Sequence, residues 1–535
     1  MGLLQRLNQT WKDSRHEPSP GTRMLLLWLS LSLCPTLTFA YKYCTALDAC
    51  WPSTQLWNNL NASVGGRIIA ARPPAAPCHV LDPLFNEEIC ASVNASWTSM
   101  FFRADQPGAS QDTYWENGNS SCYIDFNLTT PCEQGLVPAM ILDVHSLADV
   151  QKGVNFAREH QLRLRIKSSG HDYVGRASGE GSFLIWTRHI RSLALVPDFV
   201  PIGAPTGTKA VQAMRSGPGD RWTDLYNLAN RSDVVVVGGT GQTVSSAGGY
   251  LMGGGHSLLS RHYGLAVDNV LQFILVDASG SEVVANAYQN PDLFWSLRGG
   301  GGGTFGVVTE VVRKTHPAFH NILGVTLTVS ASSPTDLESV LKEYLDIQPS
   351  LDDAQWWLTT AVQQTSFILQ AALFTPPPGA NLTQAAYQAF QSVILAAQNL
   401  GMTPAFVVQE FPNFLALHDA FFPPTTPSGS PGVLASRLIP RHVFENTSAT
   451  ALLAHAATEP PEVVFNLLAG GAVSKVSPTA TSVNPGWRKA LHLVIFATGW
   501  TSSTPLAIRD LLRQNLTAQD FTIRTIQRRT WRIPQ

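Results

Sequence analysis

Charged side chains are scarce in this chain. Asp, Glu, Lys and Arg make up 14 % of its 535 residues, and the formal net charge is −2. That leaves no basic field to displace counterions from phosphates, so there is no electrostatic case for nucleic acid as a partner. Long apolar runs are missing too. The most apolar stretch, Met24–Leu33, is too short to cross a bilayer, and no stable membrane span is expected. Cysteine stops at Cys132 and no CxxC pair occurs; HExxH and GxxxxGK are absent as well, so no metal is expected and P-loop chemistry is set aside. Two further motifs fail at their last positions. Gly239-Thr240-Gly241 opens a GxGxxG fingerprint, but Val244 stands where its third glycine belongs. Gly255-His256-Ser257-Leu258-Leu259 starts like a nucleophile elbow and ends on leucine.

What is present is a globular composition, 44 % apolar, in a chain too long for one ordinary core; two closely packed domains are expected. Arg23 precedes an uncharged run, Met24–Ala40, with small residues at Thr38 and Ala40 before Tyr41. This is the pattern of a cleaved export signal over residues 1–40, or, with a polar stretch ahead of it, an uncleaved anchor. Cys34 lies in that leader. The other six cysteines, Cys44, Cys50, Cys78, Cys90, Cys122 and Cys132, form an even set that reads as three disulfides with the pairing open. Sequons at Asn61, Asn94, Asn119, Asn127, Asn230, Asn381, Asn446 and Asn515 add N-glycans, and the chain is expected to be secreted.

Residues 41–135 read as an irregular, disulfide-stapled entry segment. Met140–Val144 is a strand candidate, and Ser146 three residues before Asp149 caps a helix with Leu147, Val150, Val154 and Ala157 on its apolar face. Leu162, Leu164 and Ile166 alternate with Arg163, Arg165 and Lys167, the period of a half-buried strand, which runs into Ser168-Ser169-Gly170-His171-Asp172. A second apolar strand, Val234–Val237, runs into Gly238–Gly241; further glycines cluster over Gly248–Gly255 and Gly299–Gly303. Glycine clusters let backbone N–H groups approach a phosphate closely. The texture changes near 316–320, where a domain boundary is placed.

Arg165–Tyr173, the segment Gly238–Asn269 with Tyr263-Gly264-Leu265-Ala266-Val267-Asp268-Asn269, and Asn290–Trp295 followed by Arg298–Val308 stand in that order, with a weaker match at Asn484–Arg488. Together they resemble the vanillyl-alcohol-oxidase/PCMH superfamily, in particular its berberine-bridge-enzyme-like branch and the fungal FAD-linked oxidases. The resemblance implies an α+β fold: an FAD-binding domain of two α/β subdomains (136–317, entered through 41–135) and a substrate domain with an antiparallel sheet backed by helices (318–505). It implies FAD bonded through its 8α-methyl to His171. The cofactor would be held by Lys167, Ser168, Ser169, Gly170 and Asp172, by Gly239, Thr240, Gly241, Gly248, Gly249, Tyr250, Gly254, Gly255 and His256, and by Val307. Doubly linked relatives carry a cysteine early in the second segment; this chain has none there, so one histidyl bond is the most it permits.

Asp268, Asn269 and Arg298 are read as residues that fix loops. Tyr250 is either a hydroxyl donor toward reduced flavin or a lining aromatic, and His492 either a general base or an ordinary strand histidine. Phe411, Phe414, Phe421, Phe422, Trp356 and Trp357 lean toward an apolar substrate, or are core. Residues 506–535, with their basic ending Thr522–Arg532, depart from the family's pattern and read as an atypical, truncated C-terminus. The implied reaction is oxidation of an alcohol, a sugar-like polyol or a specialised metabolite: hydride passes to flavin and O2 returns as H2O2. A redox-neutral cyclase or lyase on the same scaffold, and an inactive secreted glycoprotein, stand as alternatives.

Overall fold

The computed structural model describes residues 43–530 except 126–127, 378, 380 and 460–461, and not the side chains of 528–530. The leader over residues 1–40 and the Asn127 sequon lie outside the described residues. The fold is α+β, and the described residues hold four sheets. A mixed sheet runs in the order Ile68–Ala70, Met140–Asp143, Phe183–Trp186, Leu164–Lys167, with parallel pairing among the last three strands. An antiparallel sheet follows in the order Ala194–Phe199, Val211–Ser216, Val307–Lys314, Val270–Val276, Glu282–Asn286. Val234–Val235 and His316–Pro317 form a two-stranded ribbon. The seven-stranded antiparallel sheet runs Ala405–Phe411, Ile322–Ser330, Ser366–Leu373, Trp357–Gln363, Glu462–Leu467, Ala490–Gly499, Gly432–Pro440.

Local chemistry explains the elements that position the site. Ser146 Oγ accepts from the Asp149 amide at 3.2 Å and starts the helix Leu147–Glu159, whose Val150, Val154 and Ala157 are buried. Gly153 lets this helix press onto the mixed sheet, since a Cβ there would lie 2.8 Å from Leu142. The strand expected from Leu162 begins at Leu164, because Leu162 bridges Cys44 and the Arg163 amide bonds the Cys44 carbonyl at 2.9 Å.

The entry segment is more regular than its composition implies. Helices Thr54–Ser63, Glu87–Ser96 and Met100–Ala104 form there, the latter two capped by Asn86 and Ser99. Disulfides pair neighbours along the chain: Cys44–Cys50, Cys78–Cys90 and Cys122–Cys132. Among the described residues no helix is long and apolar enough to cross a membrane.

One face of the seven-stranded sheet is packed by helices Pro334–Asp346, Leu382–Asn399, Thr447–Thr458 and Leu506–Thr530 around Leu327, Tyr344, Phe390, Phe465 and Phe496. The last helix, Leu506–Thr530, belongs to that packing. Leu516, Ile523 and Ile526 are buried in the core, and Arg437 pairs bidentately with Asp520 at 2.6 Å. Ile523→Ala should therefore lower the unfolding free energy by about 2–4 kcal/mol, whereas Phe521→Ala, on an exposed side chain, should change it by under about 0.5 kcal/mol; urea titration checks both.

Candidate active site

Three glycine-rich segments meet beside the parallel strand end at Lys167. Gly302 lies against Gly249, where a Cβ would fall 2.7 Å from the Gly249 Cα, and the Gly301 amide bonds the Met252 carbonyl at 2.9 Å. Gly248 abuts Ser168, where a Cβ would lie 2.8 Å from the hydroxyl oxygen. Gly170, at φ +79°, carries the loop through a left-handed turn against the Ala109 carbonyl. Its carbonyl accepts from the Gln111 amide at 2.9 Å. The Ser169 hydroxyl accepts from the Ser245 amide at 3.1 Å, and the Trp186 indole donates to the Ser168 carbonyl at 3.0 Å.

His171 stands half-buried at the tip of this loop. Its Nε2 lies 2.7 Å from the Thr243 hydroxyl, and burial pushes its pKa down to about 4, so the ring is neutral at physiological pH. Gly241 approaches the same ring, a Cβ there lying 3.9 Å from the imidazole Cε1. Thr243 is the contact that motif reading missed, because nothing in Gln242-Thr243-Val244 marks it.

Other site residues fall into distinct roles. Lys167 donates to the carbonyls of Gln106, Pro107 and Ala109, and burial pushes its ammonium down to about 7; these bonds occupy its donors. The Asp172 carboxylate braces its own loop by accepting from the Val174, Arg176 and Ala177 amides. Tyr226 donates to the Gly239 carbonyl at 2.7 Å, and His418 Nε2 lies 3.1 Å from the Thr240 carbonyl. Gly254 and Gly255, at φ +125° and +72°, receive the amides of Val267 and Ala266 on their carbonyls. The Val307 side chain is buried in the mixed-sheet core. Asp268 pairs with Arg488, Asn269 donates to the Tyr263 and Leu265 carbonyls, and Arg298 donates to the Ala480 carbonyl.

Tyr250 and His492, the two residues considered for catalysis, are both held by protein contacts. The Tyr250 hydroxyl donates to the His256 carbonyl at 2.5 Å, and its ring lies between Gly239 and Gly255, where Cβ atoms would come within 2.9 Å. Burial pushes the phenol pKa up. His492 is fully buried on the helix-packed face of the sheet, on the same side as Val494 and Phe496, with Nε2 2.9 Å from Gln348 Oε1 and its ring 4.6 Å from Phe444. The ring lies among core side chains, away from the opposite face of the sheet.

That opposite face carries one cross-strand row in register: Leu438, Leu493, Asn466, Thr359, Gln370, Thr326 and Val407. The row contains no charged residue. Thr359 donates to Asn466 Oδ1 at 2.8 Å. Trp357 packs beside it on Phe421 and Phe422, and Gln242 reaches the Phe422 carbonyl at 2.9 Å, joining this wall to the glycine loop. Trp356 points to the helix-side core instead.

A family model described as an FAD binding domain matches residues 138–286. An uncharacterized FAD-linked oxidoreductase of Arthroderma benhamiae is 34 % identical over 501 residues, covering 90 % of this chain and 84 % of its own length. The chain is an FAD-linked oxidoreductase. Among solved structures, a VAO-type flavoprotein from Myceliophthora thermophila C1 superposes with a TM-score of 0.80 at 26 % identity, over 91 % of this chain and 88 % of the other. A berberine bridge enzyme variant shares the fold at a TM-score of 0.57 and 18 % identity, over 73 % and 75 %.

The glycine cradle of this oxidoreductase fits FAD. A Cβ on Gly249 would meet nothing within 4 Å, so the segment borders open volume, and the buried His256 Nδ1 and Trp222 Nε1 have no protein partner. His256 also stacks on Trp487, from the weaker motif at Asn484–Arg488.

Gln111, which holds the Gly170 carbonyl, is followed by Asp112, whose carboxylate accepts from the Tyr114 and Gly432 amides at 2.9 and 3.1 Å. Burial pushes this carboxyl up to about 6 against the pull of those amides. The fold thus favours the protonated acid. That stabilisation is complete below the unfolded pKa, near 4, and is lost as pH rises through about 6. Asp112→Asn, neutral with the same acceptor, should match wild type near pH 4 and exceed it in Tm at about pH 7.5. A variant less stable than wild type at the higher pH contradicts this.

Proposed function

We propose that this FAD-linked oxidoreductase is a secreted oxidase with FAD bonded covalently to His171, acting on an uncharged, largely apolar alcohol or specialised metabolite. Residues 136–317 hold the cofactor and 318–505 the substrate. The observation that carries the reading is the His171 imidazole, kept neutral by burial with Nε2 held by Thr243. A neutral ring has a nucleophilic lone pair, and one nitrogen fixed by a hydroxyl orients the other for bonding to carbon. The loop of Ser168, Ser169 and Gly170, with Gly241, Gly248, Gly249, Gly254 and Gly255, offers backbone amides where no Cβ intervenes. Tyr250 acts by packing.

Bound FAD supplies the two-electron chemistry, taking hydride from the substrate and passing the electrons to O2 to give H2O2. The protein's own part is to position the substrate on the Leu438–Val407 row. Thr359, Asn466 and Gln370 there provide hydrogen bonds amid Leu438, Leu493 and Ile495, and the absence of charge favours a neutral molecule. Secretion is supported by the three disulfides and by exposed sequon residues at Asn94, Asn119, Asn230, Asn381 and Asn515.

Acid-denatured wild type should keep its yellow colour in the pellet, and His171→Ala should release free FAD to the supernatant; free FAD from the wild type contradicts the attachment. Gly249→Ala separates cradle from scaffold. Its Cβ meets no protein atom, so thermal stability of the flavin-free protein should be unchanged while the ratio of 450 nm to 280 nm absorbance falls several-fold. Unchanged flavin content would place the cofactor elsewhere.

A further inference from the structure

Two neighbouring parallel strands, Met140–Asp143 and Phe183–Trp186, end side by side, with Asp143 in register with Trp186. The chain beyond the first end brings up His145, and the chain beyond the second brings up His189. Asp143 Oδ2 lies 3.1 Å from His145 Nε2, and Asp143 Oδ1 lies 2.7 Å from His189 Nδ1. One donor atom from each of the three residues lies within 4.8 Å of the others, and the two imidazoles are 5.0 Å apart. The histidine side chains are 49 % and 40 % exposed and the carboxylate 15 %, so an aqueous ion reaches all three.

We propose that Asp143, His145 and His189 bind a divalent transition ion, with zinc the best match. Two imidazoles and one carboxylate are a donor set that zinc takes at about 2.0–2.2 Å, leaving a fourth position for water. Copper(II) shares the preference for imidazole, whereas calcium and magnesium call for oxygen ligands throughout. The backbone under the site is fixed. The Asp143 amide donates to the Arg67 carbonyl at 3.0 Å, and Arg67 Nε returns a bond to the Asp143 carbonyl at 3.2 Å. The His145 amide is held by Asp149 Oδ2 at 3.1 Å, and the His189 ring packs on the edge of Trp186 at 5.0 Å. The nearby Arg67 guanidinium is paired with Asp149 at 2.7 Å, so its charge is already compensated. Loading the ion requires only that the exposed imidazoles turn until their lone pairs and a carboxylate oxygen converge; each histidine ligates as the neutral ring.

The site stands apart from the flavin loop but is mechanically joined to it. Trp186, which His189 touches, donates its indole N–H to the Ser168 carbonyl. A bound ion ties together the two strand ends beneath that loop, which raises the stability of the folded state by mass action.

The test uses full-length holoenzyme without a polyhistidine tag, stripped with chelator and titrated with ZnCl2 in metal-free buffer by calorimetry. Wild type should take up one equivalent, with a rise in Tm. His145→Ala, His189→Ala and Asp143→Asn should each weaken binding on the order of 100-fold and abolish the Tm rise. Their flavin absorbance should remain at the wild-type level, which shows that the variants are folded. CuCl2 titration followed by electron paramagnetic resonance should show two nitrogen ligands in wild type and one in each histidine variant. No zinc uptake by wild type means that the three residues form a hydrogen-bonded cluster only and overturns the proposal. So does uptake that persists in the His145→Ala/His189→Ala double variant.

Discussion

Backbone meets backbone where the glycine segments of this protein converge, and the site depends on those contacts. Gly302 rests on Gly249, Gly299 rests on Val483 and Gly170 rests on Ala109; added Cβ atoms would fall at 2.7, 2.1 and 3.0 Å from the opposing backbone. Such distances admit only hydrogen at the α-carbon. With side chains removed, the three loops meet backbone to backbone, and the His171 imidazole stands beside them against Thr243 and Gly241. Polar satisfaction then completes the frame: Gln111, Ser245 and Trp186 each bond an atom of the Ser168–Gly170 turn.

Two largely buried ion pairs stand where parts of the chain join. Arg488 grips Asp268 with two bonds of 2.8 and 2.7 Å, and Arg261 pairs with Asp352 and donates to the Ala469 carbonyl at 2.8 Å. Both ion pairs link the glycine-rich segment to short helices that flank strands of the seven-stranded sheet. Buried ion pairs of this kind add little net stability over an apolar contact, but breaking one leaves an uncompensated charge. Their value here lies in fixing how the seven-stranded sheet addresses the loops. The Gln242–Phe422 and His418–Thr240 contacts act at the same seam.

Much of this was legible in the sequence because it rests on local rules. The Ser146 cap, the parallel unit leading to Gly170-His171 and the glycine clusters are all written in spacing and residue type. Side-chain commitments were not. Lys167 and Tyr250 sit in the right segments, yet their polar atoms are held by carbonyls from residues 106–109 and 256. The strand around His492 is apolar on both faces, so its alternation could not tell which side meets the helices. The C-terminal helix was missed because its buried Leu516, Ile523 and Ile526 are spread thinly among polar residues. The Asp143–His145–His189 cluster depends on strand register between segments far apart in the chain, which no local motif records.

Whether His171 carries the flavin can be read from a peptide map. Trypsin should release Ser168–Arg176. That peptide should bear the mass of FAD, with fragmentation placing it on His171. The peptide recovered wholly unmodified from flavin-replete enzyme would contradict attachment at that residue.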